Sequence, residues 1–410
     1  MKHKYLFMLP AISIAASTLS WGQAIAEAPA AAKVNPNAEF YEAKPAKEMQ
    51  DALAKLINEQ AKTVGTEIDA KAIMGALGLN DITSYAMSSE KDGTEWKNLM
   101  FLDNGGSDKG IFSLIGAKGA EFSAPNMCPA GSDLVLQFDL DLRTAEDLLI
   151  KLMDVSNASE EDALGFQDTM KEIVPDLEIT NSELLSKINV RFNLAIDLDD
   201  QVKMALPMVG ELDKPRMVIR LDGLSWIWDS VGPSLIAESE VPFQKIEKDG
   251  IITYNLPAEF KNSLFGYSPL IAIDKAKDHI WIASSPEFLE RSMSGTNTLA
   301  SSIAYKGTMK GLPQKGNMMS YLSKDFADLL IRIIGIAEAS GLLENVDEMQ
   351  QIELDKAIEQ LKTVNQGAVS NLSRTNNGLF YAARSTQNFE EMIEETQKAF
   401  IEALELMQTP

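Results

Sequence analysis

Polar and apolar positions alternate through Leu134–Leu142. Leu134, Leu136, Phe138, Leu140 and Leu142 take one set of positions, and Asp133, Gln137, Asp139 and Asp141 the other, with Val135 the exception. A period of two predicts a strand with an apolar face and a polar face. The simplest expectation is that the apolar face is buried and the polar face wet, as in an antiparallel sheet. The period then changes. Ala145, Leu148, Leu149, Leu152 and Met153 follow the spacing of an amphipathic helix, with Thr144 placed to cap it and Asp147 in its first turn.

This strand–helix unit recurs. From Pro313, Asn317–Leu322 predicts a strand, and Ser323 caps a helix with Phe326, Leu329, Leu330, Ile333 and Ile334 on one face. Looser versions are Arg216–Val231, His279–Met293 with its Ser285-Pro286 helix start, and Leu379–Met407 with Asn388 and Glu391 as a capping box. Asn189–Asp199 is another clean alternating strand. Hairpins are predicted around Asp92-Gly93 and Asp249-Gly250, with a third over 270–283. Helices are predicted over Lys47–Lys62, Ala70–Leu77, Ser159–Val174 and Val346–Lys362, and a short one over Lys109–Gly116.

The fold class is therefore α+β. Glu-Lys-Asp-Gly at both 90–93 and 247–250, and the offset from Pro129 to Pro313, point to two pseudo-repeated halves. Each is expected to be a mostly antiparallel sheet with amphipathic helices on one face. The expected segments are a signal peptide over 1–26, a flexible Ala/Pro-rich leader over 27–46, a first half over 47–210 and a second over 211–410.

The start of the chain supports that division. Lys2 and Lys4 precede a mostly apolar stretch from Leu6 to Leu19, and Ala24-Ile25-Ala26 and Ala26-Glu27-Ala28 fit a small-x-small cleavage site. Removing residues 1–26 takes away two of the 37 basic residues and leaves 35 against 60 acidic ones. Such a chain repels nucleic acid and anionic lipid surfaces. No later stretch is long and apolar enough for a membrane span. The expected location is periplasmic or extracellular.

Candidate chemistry is sparse. Cys128 is the sole cysteine, so no internal disulfide can form, and His279 is the only histidine after residue 26. No zinc cluster or phosphate-binding glycine motif occurs. Ser88-Ser89-Glu90-Lys91 matches S-x-x-K, but it enters a hairpin turn and lacks the motif's partners. Asp197, Asp199 and Asp200 offer oxygen ligands but read as a solvated strand edge. Trp226, Trp228 and Tyr254 are a possible sugar platform, though Trp228 belongs to an apolar helix face. No catalytic, cofactor-binding or metal-binding residue is assigned, and no cofactor is expected.

The repeated order of proline, polar turn, strand, Asp or Ser, and helix is carried by Pro129–Met153, Arg216–Val231 and Pro313–Ile334. The strand Asn189–Asp199, after Glu183-Leu184-Leu185-Ser186, also fits it. The pattern resembles a loose group of secreted bacterial proteins of unknown function, over residues 80–400. The resemblance implies export and this architecture, and carries over no activity or residue role. The function expected is an exported non-catalytic protein that binds a ligand or an envelope partner. The alternatives are an assembly factor acting through surface contacts and a carboxylate-based hydrolase.

Overall fold

The computed structural model describes residues 33–394, except 64–67, 117–118, 157, 207–209, 239–241, 258–266, 342–350 and scattered positions in 352–366. The expected signal segment, the acidic helix Val346–Lys362 and the end of the closing helix, the helical part of Leu379–Met407 that follows Asn388, lie wholly or mostly outside the described residues.

The fold is α+β, built on one antiparallel sheet of thirteen strands. In chain order these are β1 (Phe40–Pro45), β2 (Ser84–Asp92), β3 (Glu95–Asp103), β4 (Leu134–Asp141), β5 (Asn189–Leu206) and β6 (Gly210–Asp222). The second half of the chain adds β7 (Gln244–Lys248), β8 (Ile251–Asn255), β9 (Leu270–Asp274), β10 (His279–Ala283), β11 (Met318–Leu322), β12 (Ala368–Arg374) and β13 (Gly378–Ser385). Across the sheet they lie in the order β1-β2-β3-β13-β12-β11-β4-β5-β6-β10-β9-β8-β7.

That order has a simple arithmetic. Exchanging each of β1–β6 with the strand seven numbers later, and the reverse, returns the same order read backwards, with β7 left over at one edge. The centre is the β4–β11 pair, where Phe138 faces Met318 and Leu134 faces Leu322. In this scheme β2–β3 corresponds to β9–β10, not to the β7–β8 hairpin that shares its Glu-Lys-Asp-Gly turn. The two halves of the chain form one sheet: β3 pairs with β13, and β6 with β10. The expected boundary at 210/211 falls at the tip of the β5–β6 hairpin. The leader expected over 27–46 supplies β1, because Phe40–Pro45 finds a partner along the whole of Ser84–Ser89.

One face of the sheet carries the main core. Val135, Ala195, Val218, Trp281, Met319, Tyr321 and Ala382 pack there against Phe122, Met127, Cys128, Phe288, Leu299 and Tyr305. The covering layer runs through 119–133 and 285–316 and is largely loops and short helices. Its longest helix is Pro286–Ser294, with Ser285 accepting from Phe288 N–H.

The other face carries seven of the chain's helices, five of them longer than any in the covering layer. They are α1 (Lys47–Thr63), α2 (Ala70–Ala76), α3 (Ala145–Val155), α4 (Glu160–Lys171), α5 (Asn181–Lys187), α6 (Ser225–Glu238) and, after the covering layer, α7 (Lys324–Ala339). Helices α1, α2, α3 and α5 pack each against the next. Several ends match expectation: Ser323 Oγ accepts from Phe326 N–H, and Asn388 and Glu391 exchange both bonds of a capping box. Thr144 does not cap α3 with its side chain and instead hydrogen-bonds Ser113 Oγ at 2.6 Å.

Candidate functional site: an apolar floor between the helices

The central strands bury the opposite face from the one their pattern suggests. On β4 the buried residues are Val135, Gln137, Asp139 and Asp141, whereas Leu134, Leu136 and Leu140 are half-buried and Phe138 is 36% exposed. On β5, Asn193 and Asp197 are buried while Phe192, Leu194 and Ile196 are half-buried. The same holds on β6, where Val218 and Arg220 are buried and Met217 is 37% exposed.

The physical cause is the loop layer. Irregular backbone over a sheet brings N–H and C=O groups that need partners. The strands' polar side chains supply them. Gln137 Oε1 accepts from the N–H groups of Ser123 (2.8 Å) and Ala124 (3.1 Å), and Asn193 Oδ1 accepts from Ser123 Oγ at 2.8 Å. Arg191 donates two bonds to Asp139, at 2.6 and 2.9 Å, and a third to Glu121 C=O. Asn317 Nδ2 also reaches Asp139, and Asn371 Nδ2 donates to Pro313 C=O at 2.9 Å. Arg384 ties Asp92 to Lys310 C=O on the outer strands.

Two buried carboxylates, Asp133 and Asp197, lie at one end of β4, and Asp133 anchors the start of α7. Asp133 Oδ1 accepts from Ser323 Oγ at 2.6 Å and Oδ2 from Leu198 N–H at 2.8 Å. Burial pushes its carboxyl above the ordinary range, against those two bonds. Asp197 is also pushed up by burial, although Arg216 bonds it at 2.6 Å and Asp199 at 2.8 Å. Asp197 and Asp199 are thus arginine-paired and not a solvated edge.

The apolar sets face the helices, and the helices cover them unevenly. At one end α6 closes over the sheet, with Trp228 packed on Ile273 and Ile280. At the other, Met49 of α1 and Phe389 and Met392 of the closing helix pack on Tyr85 and Met87. Between them lies a floor made by Met318 and Leu322 of β11, Leu134, Leu136, Phe138 and Leu140 of β4, Phe192, Leu194 and Ile196 of β5, and Met217 and Ile219 of β6. Among the described residues none of these belongs to a buried apolar cluster. Phe138 and Phe192 stack on one another across the strands, 4.7 Å between ring centres. Helix α7 reaches toward the β5–β6 hairpin tip, where Arg332 bonds Glu211 C=O at 3.2 Å. Its apolar residues Leu329, Leu330, Ile333 and Ile334 are half-buried as well.

A separate polar cleft of 770 Å³ lies at the end of β4 and β12. Arg143, Arg374, Asp108, Asp141, Thr144 and Asn376 are among its lining residues. Its charges balance: Arg143 is bonded to Asp141 and holds that carboxyl below the usual range.

The other sequence candidates are engaged elsewhere. Cys128 Sγ donates to Ala124 C=O at 2.9 Å, and burial pushes its thiol up to about 12. His279 Nε2 lies 3.5 Å from Asp222, and burial lowers its pKa. Ser88 and Lys91 sit on the extended strand β2, without the helical turn that S-x-x-K chemistry needs. Trp228 is buried beside Tyr254, whereas Trp226 is half-buried under Lys187. Among the described residues no group of three or more His, Cys, Asp or Glu is arranged to hold a metal ion, and no helix is long and apolar enough to cross a membrane. No family model, curated protein or solved structure matches this chain.

The floor itself escaped the sequence reading. Alternation along Leu134–Leu142 and Asn189–Asp199 shows that each strand has two unlike faces, not which one is covered.

Proposed function

We propose that the protein is an exported, non-catalytic carrier that holds an apolar ligand on the floor formed by β11, β4, β5 and β6. The observation that carries this reading is the inverted burial of the central strands. Side chains such as Phe138, Phe192 and Met217 occupy the middle of a thirteen-stranded sheet, where packing is normally tightest, yet stay half-exposed. Monomeric proteins rarely leave a contiguous apolar patch of more than a few hundred Å² open, and larger ones mark binding surfaces. Among the described residues, helices cover both ends of the same face and leave its middle partly exposed, which suits a small ligand lying among helices.

Native mass spectrometry on the protein recovered from its own cells tests this. The expected result is an added small mass that organic solvent removes, and uptake of N-phenyl-1-naphthylamine by the stripped protein. A bare mass together with no dye uptake overturns the reading.

A further inference from the structure

Resting on the carrier reading, we infer that the ligand is an amphiphile with an uncharged, hydrogen-bonding head such as a hydroxyl or ester, and that Ser320 and Ser370 receive that head. On the helix-facing side of β12, β11, β4, β5 and β6, the positions from 368 to 372, 318 to 322, 134 to 140, 190 to 198 and 217 to 221 hold two polar side chains, Ser320 and Ser370. The rest are aliphatic, aromatic or Met. The two serines are direct partners across β11 and β12, and their Oγ atoms lie 2.8 Å apart.

Their chemistry fits a neutral head. Each hydroxyl has one proton and two lone pairs, so the two serines, bonded to one another, and Tyr381, bonded to Ser370, together still have one donor and several acceptor positions to offer. Both are half-buried, open to a ligand yet screened from bulk water. The neighbouring Tyr381 interacts with Ser370 and is kept in its neutral phenol form by burial. No ionisable side chain occurs at those floor positions to balance a charged head, and an unpaired charge in such surroundings is costly.

Shape points the same way. Ala368, Ser370, Ser320 and Ala383 are small, whereas Leu136, Phe138, Phe192 and Leu194 beside them are bulky. Side-chain size therefore steps down at the serines, which suits a head there and a hydrocarbon tail over β4 and β5.

The test is displacement of bound N-phenyl-1-naphthylamine by 1-dodecanol, dodecanoate and dodecylammonium, which share one chain and differ in head. Dodecanol is expected to compete at least tenfold better than either ion. In S320A and S370A, and in the double variant, it should lose about tenfold while dye affinity and thermal midpoint stay near wild type, the scale of one or two hydrogen bonds. Equal competition by the three heads, or no loss in the double variant, overturns the head-group assignment while dye binding keeps the carrier reading. Failure of the dye to bind wild type sinks both.

Discussion

Asn193 and Phe138 lie one strand apart and have exchanged the roles their chemistry suggests. Asn193 is fully buried, accepting from Ser123 and donating to Arg220 C=O, while Phe138 is more than a third exposed. Truncating Asn193 leaves buried polar groups without partners, at about 2 kcal/mol or more. Phe138→Ala removes a ring that water already reaches, so it should cost about 1 kcal/mol or less. Urea denaturation of N193A and F138A should show that inverted order, with F138A also losing dye uptake. Arg216→Ala should be worse than either, about 3 kcal/mol, because it leaves the buried Asp197 with only Arg291 at 3.8 Å.

Asp133 adds a pH signature. Burial raises its folded-state pKa above the unfolded value, so the native state binds this proton more tightly. Its contribution is most favourable below the ordinary carboxylate pKa and is lost as pH rises through the raised one. Asp133→Asn cannot titrate. Thermal melts should therefore show the variant at its greatest disadvantage near pH 4 and recovering relative to wild type by pH 7. A gap that widens toward neutrality would contradict the assigned direction.

At the scale of elements, periodicity and turn residues were a sound guide. The strand-to-helix switch at Leu142–Ala145, the Ser285 and Ser323 caps and the turns at Gly93 and Gly250, both with φ above 70°, all lie where the sequence implies them. Three things are illegible in the sequence. A short edge strand such as β1 is fixed by its partner, not by its own Ala/Pro-rich composition. Which face of β4 is covered depends on a loop layer whose backbone demands polar partners, and no local pattern encodes that demand. Pairing between halves was equally hidden, and it has a consequence for folding. Cut between β6 and β7, the first half keeps β1-β2-β3 and β4-β5-β6 as two three-stranded pieces with no ladder between them. Residues 1–238 and 242–410 expressed apart should be insoluble or molten, and co-expression should restore a soluble pair. A cooperative melt from either half alone would show that the inter-half ladders are dispensable.

For the molecule as a whole, the two faces divide the labour. The loop-covered face supplies rigidity through arginine–carboxylate and amide networks, which tolerate little change. The helix-covered face spends less on packing and keeps an open apolar centre. A formal charge of −23 over the chain keeps such a molecule dispersed despite that surface.

The sheet is also unclosed, and among the described residues its two margins, β1 and β7, pair with no further strand. β7 is the strand left over from the mirrored order, and all five of its residues, Gln244 to Lys248, are exposed. Lys245, Glu247 and Lys248 place charge along a ladder that could otherwise recruit another molecule's strand, a common safeguard at sheet edges. The unmatched strand thus resembles a selvedge, a finished border whose charges discourage a second copy or a stray peptide from being woven on there.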